Sequence, residues 1–153
     1  MNRVWVLLIS AAACLLLAGC EREKDRVDAE VRQLCAKDGG IKVHETVMLS
    51  AEEYRKLLNR DGELNIRDKD FAKATDAFYF EPQTAIVRKG DPVLVRWEYR
   101  LIRQSDMKLL ATNVHYTRRG GDLPGPWRAS TFSCPDAQSQ QKMAGLAIKQ
   151  VGP

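Results

Sequence analysis

Apolar positions recur at helical spacing along residues 22–38. Val27, Val31, Leu34 and Cys35 stand at i, i+4, i+7 and i+8 among charged and polar neighbours, which puts them on one stripe of a helix. Gly39-Gly40 closes it, because glycine takes the left-handed backbone that ends a helix. From Ile41 to Leu49 the period changes to two, and the run predicts one strand. Ile41, Val43, Val47 and Leu49 share a face with Glu45; Lys42, His44, Thr46 and Met48 share the other. A carboxylate on the apolar side calls for a sheet edge or a Lys or Arg partner. Ser50-Ala-Glu-Glu53 is a capping box, and Tyr54, Leu57 and Leu58 give the helix behind it an apolar stripe that Asn59–Gly62 ends. Residues 63–76 are highly charged around Leu64, Ile66 and Phe71 and predict an exposed loop with room for one helical turn. Ala77–Phe80 is a short aromatic strand ended by Pro82.

Gln83–Lys89 and Pro92–Arg103 read as the next strands, turning at Gly90-Asp91, and Gln104–Met107 turns the chain into a strand over Lys108–Arg118. With a two- or four-residue turn, Arg103 faces Lys108. Leu101, Tyr99, Trp97 and Val95 then stack on Leu110, Thr112, Val114 and Tyr116. Arg100, Glu98 and Arg96 meet Ala111, Asn113 and His115 on the other face. One side is apolar and the other mostly polar, as a half-solvated antiparallel sheet requires, and a one-residue slip would exchange the two. Gly120-Gly-Asp-Leu-Pro-Gly-Pro-Trp127 cannot continue a strand and reads as a structured loop. Ala129–Cys134 is a short final strand. The Gln/Ser/Ala-rich tail from Pro135 reads as a weak helix on Met143, Leu146, Ala147 and Val151, interrupted by Gly145, or as disorder. These elements predict an α+β domain: helix, strand, helix, then an antiparallel meander of three to four strands.

Ahead of the domain, Met1-Asn2-Arg3 carries one positive side chain, and Val4–Leu17 is apolar apart from Ser10. That run has the length of a signal-peptide core and falls short of the roughly 20 residues that span a bilayer. Charges follow at once. The run closes on Leu17-Ala18-Gly19-Cys20, which resembles the lipobox of bacterial lipoproteins. Cys14, inside the run, is a weaker second candidate. The resemblance implies that residues 1–19 are removed and that Cys20 is acylated and becomes the first residue of a membrane-anchored chain. Glu21, where an Asp would favour inner-membrane retention, leans to the outer membrane, with the domain facing the periplasm. The domain is expected over residues 20–134 and a tail over 135–153. Cys35–Val43 and Gly120–Pro126 are also similar to segments of small uncharacterised bacterial lipoproteins, a likeness that carries no activity.

Without Arg3 the chain holds 23 basic and 20 acidic side chains, a balance of +3. Residues 20–81 carry 12 basic and 15 acidic, and residues 82–153 carry 11 and 5. The basic second half reads as a solvated face or as a surface for an anionic envelope component or an acidic protein; nucleic acid is not a partner to expect in this compartment. With Cys14 removed and Cys20 acylated, Cys35 and Cys134 remain, and in an oxidising space they read as a disulfide. A loop of that length is worth about 4–5 kcal/mol by chain entropy. No C-x-x-C supports redox catalysis, and His44, His115 and the cysteines make no metal-ligand spacing. No cofactor is expected.

Candidate chemistry is sparse. Arg96, Arg100 and His115 are placed on one solvent face, able to bind an anionic group, with Glu98 between them. His44 and Glu45 are adjacent in a strand and so point to opposite faces. Trp127, in a loop stiffened by Pro124 and Pro126, is a contact candidate. No nucleophile elbow or phosphate loop is present. The expectation is a non-enzymatic, lipid-anchored binding or accessory protein. The alternatives are an envelope-polymer hydrolase using Glu45, His115 or the arginines, and an inhibitor or immunity-type lipoprotein using the Pro124–Trp127 loop.

Overall fold

The structure is a computed structural model describing residues 23–122, 125–126, 128–135 and 140–152. Leu17–Cys20 and Trp127 therefore lie outside the described residues. The elements run α1 (residues 23–38), β1 (Gly40–Val43), β2 (Val47–Leu49), α2 (Ala51–Lys56), a 3₁₀ turn (Lys69–Phe71), β3 (Phe78–Arg88), β4 (Val93–Arg103), β5 (Lys108–Arg119), β6 (Thr131–Cys134), α3 (Gln140–Ala147) and β7 (Ile148–Gln150). This is the α+β class that the sequence predicts, with the Cys35–Cys134 disulfide in place, Cα to Cα 5.8 Å.

The main sheet is antiparallel in the order β1-β5-β4-β3. The outer edge of β5 is shared. β1 pairs with residues 111–114 and β6 with residues 116–119, end to end. The disulfide joins the end of α1, just ahead of β1, to the end of β6, and so clamps these two half-strands. Gly39 is packed so closely that a β-carbon there would stand 2.6 Å from the Cys35 carbonyl. Gly40 takes φ +95°, the left-handed conformation that lets the chain leave α1 and enter the sheet.

Each face of the sheet has its own apolar cover. On one, Val27 and Val31 of α1 are fully buried against Leu94, Val114 and Tyr116, with Leu34, Cys35, Phe132 and Cys134 around them. On the other, Met143, Ala144 and Ala147 of α3 and Ile148 of β7 pack on Phe78, Phe80, Leu101, Leu110 and Ala111. Tyr54, Leu57, Leu58 and Ile66 extend this second cluster, and Leu64 lies inside it. The charged stretch 63–76 thus contributes core residues as well as its one 3₁₀ turn.

Four features depart from the sequence reading. First, the hairpin contains a bulge. Arg103 faces Lys108 and Ile102 faces Leu109 as predicted, but Leu101 then pairs with Ala111, so Leu110 is the extra residue. Every later pair shifts by one: Arg100 meets Thr112, Glu98 meets Val114, Arg96 meets Tyr116 and Trp97 meets His115. Second, Ile41–Leu49 is two strands. The Leu110 carbonyl accepts both the His44 and Glu45 N–H groups, which ends β1 and diverts the chain into β2. The bulge therefore both sets the register of β5 and terminates its neighbour. Third, β3 runs unbroken through Pro82. β3 is the sheet edge, and its Phe80 N–H bonds outward to Arg67. Pro82, two residues on, lacks an N–H that would have pointed the same way, so no ladder bond is lost. Fourth, of the two readings of the tail the helix is the one formed, over Gln140–Ala147, and residues 140–150 pack into the fold, with Leu146 left exposed. α3 closes the second cluster, and β7 pairs in parallel with β2.

Candidate functional site

The bulge separates the residues that the sequence grouped together. Successive strand residues point to opposite faces, so Arg96 and Arg100 share the α1 side of the sheet while His115 points from the other. Arg96 bonds Glu98 and Asp38, and Asp38 also accepts from the Tyr116 hydroxyl at 2.8 Å. Burial works against the Arg96 charge, yet its bonds to Glu98, Tyr116 and Asp38 outweigh that and hold the guanidinium more firmly protonated than usual. Burial also raises the Tyr116 phenol, and the Asp38 bond adds to it. Arg100 reaches Glu81 at 2.9 Å, and Glu81 holds Lys69 at 2.6 Å. These arginines spend their charge inside the molecule, on carboxylates that α1 and β3 bring to them.

Glu45, expected to need a cationic partner, has two. Arg103 bonds it at 2.8 Å and Lys108 pairs with its other oxygen. Lys108 first and then Arg103 hold its carboxyl below the ordinary range. Arg103 also grips Asp106, which is pulled down to about 2. His44 turns to Thr112, Nε2 to Oγ1 3.3 Å, and takes no part in the Glu45 cluster.

The second face of the sheet is more informative. Its α3 cover lies over the Leu101–Ala111 end. Toward the other end, Trp97, Tyr99 and His115 form a half-exposed aromatic ladder. His115 is stacked between the other two rings, each at 6.1 Å between centroids, with interplanar angles of 11° to Trp97 and 15° to Tyr99. Val95 continues the surface beside Trp97, and Ile86, paired with Val95, is 58 % exposed. Nδ1 of His115 is enclosed and has no hydrogen-bond partner among the described residues. Burial pushes the imidazole below its usual pKa, so at neutral pH it is an uncharged ring in an aromatic stack and not a cation for an anionic ligand. The alternation of Val95, Trp97 and Tyr99 with Arg96 and Glu98 was visible in the sequence. The presence of His115 among the aromatics was not, because it depends on the bulge.

A pocket of about 370 Å³ opens elsewhere, between α2, the 65–67 segment and the start of β3. Leu49, Leu57, Ile66 and Phe78 line it, with Glu53, Arg67 and Asp76 among its polar residues. Asp76 is tied to Arg67 at 2.6 and 2.9 Å and also accepts the Lys73 N–H. Glu45, His115, Arg96 and Arg100 do not line this pocket. Among the described residues no three His, Cys, Asp or Glu side chains gather as a metal site. No helix there is long and apolar enough to cross a membrane. No protein-family model, curated protein or solved structure matches the chain.

Proposed function

We propose that this chain is an envelope lipoprotein, anchored through acylated Cys20 and facing the periplasm from the outer membrane, whose domain binds another envelope component. The observation that carries the reading is Leu17-Ala18-Gly19-Cys20, three residues ahead of the helix that begins the described domain. The Cys35–Cys134 disulfide supports it, since such bonds persist in oxidising compartments. The aromatic ladder supports a binding role: Trp and Tyr on a rigid sheet offer a large contact area at little entropic cost.

Two experiments test it. Cys20→Ser should release the protein from membranes or leave an unprocessed precursor; normal retention of a processed form refutes the anchor. A photo-crosslinking residue at Thr84, exposed on the aromatic side of β3, should trap one envelope component reproducibly, whereas the same group at exposed Arg60 should not. Failure to trap a specific partner from Thr84 counts against the binding role.

A further inference from the structure

The start of α1 is tied to the β3–β4 turn. Arg88, the last residue of β3, bonds Glu23 at 2.7 Å and Glu30 at 3.0 Å, and Lys24 bonds Asp122, just beyond β5, at 2.8 Å. Cys20 precedes Glu23 by three residues, which span at most about 11 Å of chain. On the lipoprotein reading, the start of α1 must therefore lie within about a nanometre of the acyl attachment, and the end of the sheet formed by the β3–β4 turn and the close of β5, one side-chain ion pair away, within about two.

That end has the surface such a position asks for. Ile86 is 58 % exposed and Val87, at the irregularity in β3, is 44 % exposed. Lys89, in the turn, Arg119, at the end of β5, and Arg128 are exposed, and none has an ion-pair partner among the described residues. Arg128 lies two residues before Ser130, whose carbonyl accepts the Gly120 N–H, so it belongs to the same end. The exposed acids nearby are Asp25 and Asp91, and Asp91 is engaged by the Gly121 N–H. The other cations here, Arg88, Lys24 and Arg118, are already paired with acids of α1 and Asp122.

We infer that this end is the bilayer-facing surface of the domain, with Ile86 and Val87 entering the headgroup layer and Lys89, Arg119 and Arg128 meeting the phosphates of anionic phospholipids. Apolar side chains flanked by unpaired basic ones bind such an interface through buried area and charge together, and the tether removes most of the association cost by holding the surface in place. The inference rests on acylation at Cys20.

The test uses the processed, acylated protein reconstituted into vesicles, with an environment-sensitive fluorophore on Ile86→Cys or, at the opposite turn, on Met107→Cys. Met107 is 64 % exposed. The native Cys35–Cys134 bond leaves the new thiol as the one to label. In vesicles containing phosphatidylglycerol, a lipid-borne quencher should quench position 86 several-fold more than position 107. Lys89→Glu with Arg119→Glu should reduce that difference in phosphatidylglycerol vesicles and leave it unchanged in pure phosphatidylcholine. Equal quenching at 86 and 107 in vesicle-bound protein whose intact mass includes the acyl groups overturns the inference and leaves the lipoprotein reading standing. A mass without acyl groups overturns both. Shielding of position 86 in native membranes but not in vesicles assigns the surface to a protein partner and overturns it as well.

Discussion

Arg118 shows how one side chain can hold several segments together. It is 2 % exposed, and its guanidinium reaches Asp28 of α1, the Gly120 carbonyl, and the carbonyl and hydroxyl of Ser130. Helix, strand end and the following loop converge on this group. Arg118→Met leaves the Asp28 carboxylate and the Gly120 carbonyl without their donor and should cost about 3–5 kcal/mol, the range for breaking a buried pair from one side. Adding Asp28→Leu should recover part of that loss, and urea denaturation of both variants measures it. The depressed carboxylates give a second prediction at this scale. Asp106 is held at about 2 by Arg103. Asp122 is held well below the ordinary range by Lys24 and then by the Ser130 N–H. Asp76, Glu45 and Glu81 are lowered in the same way by their partners. The unfolded chain binds protons at these sites at higher pH than the folded one. Their stabilisation is therefore complete above the usual carboxylate range and lost as pH falls from roughly 4 toward 2. His115, lowered by burial, acts earlier: stability declines as pH drops below about 6.5, where the unfolded imidazole begins to take its proton. The urea midpoint should show a shallow step there and a steeper fall at acid pH, and His115→Gln should abolish only the shallow step.

At the scale of elements, the pieces whose pattern was local were legible in the sequence. α1 announces itself through Val27, Val31, Leu34 and Cys35, and α2 through Ser50 and Glu53, whose reciprocal capping bonds are formed. The turn between β4 and β5 has its four residues, with Met107 at φ 57°. What escaped depends on contacts between distant segments. The unbulged register sets apolar residues opposite apolar ones, whereas the observed one sets Trp97 opposite His115, Tyr99 opposite Asn113 and Val114 opposite Glu98, so the period-two pattern favours the wrong pairing and does not reveal that Leu110 is skipped. Met143, Ala144, Ala147 and Ile148 form a short stripe broken by Gly145, too weak to predict burial. Yet all four are buried, because Leu101, Leu110 and Ala111 supply the other side. The candidate site fared accordingly: Trp97 and Tyr99 lie on one face as read, while His115 joined them only through the bulge. α3 and β7 thus carry a larger share of stability than their sequence advertises. Burying Met143 and Ile148 alone is worth about 1.5–3 kcal/mol each. A chain ended at Pro135 would lose both and expose the apolar residues beneath them, a loss that rivals the roughly 5–15 kcal/mol net stability of a small domain. It should melt without a cooperative transition in calorimetry, whereas Met143→Ala in the full chain should still fold at a cost of about 2–5 kcal/mol.

As a whole, the described molecule is a five-stranded sheet with a different helix on each side and a small β2–β7 sheet beside it, its ionic charges largely answered from within. The sharing of the β5 edge has a consequence for how such a chain comes into being. A polypeptide appears from its N-terminus onward, so α1 and β1 are made long before the strand they flank, and β6 is made after it. Half of the β5 border can be covered as soon as β5 exists, while the other half stays bare until Thr131–Cys134 arrives. Cys35 waits through 99 residues of sequence for its partner. Until then the chain lacks the covalent tie between α1 and β6. Completion of the sheet and arrival of the second sulfur are one event, and it falls late in the chain's synthesis. A chain stalled before Cys134 would display an open strand border and an unpaired Cys35 thiol together.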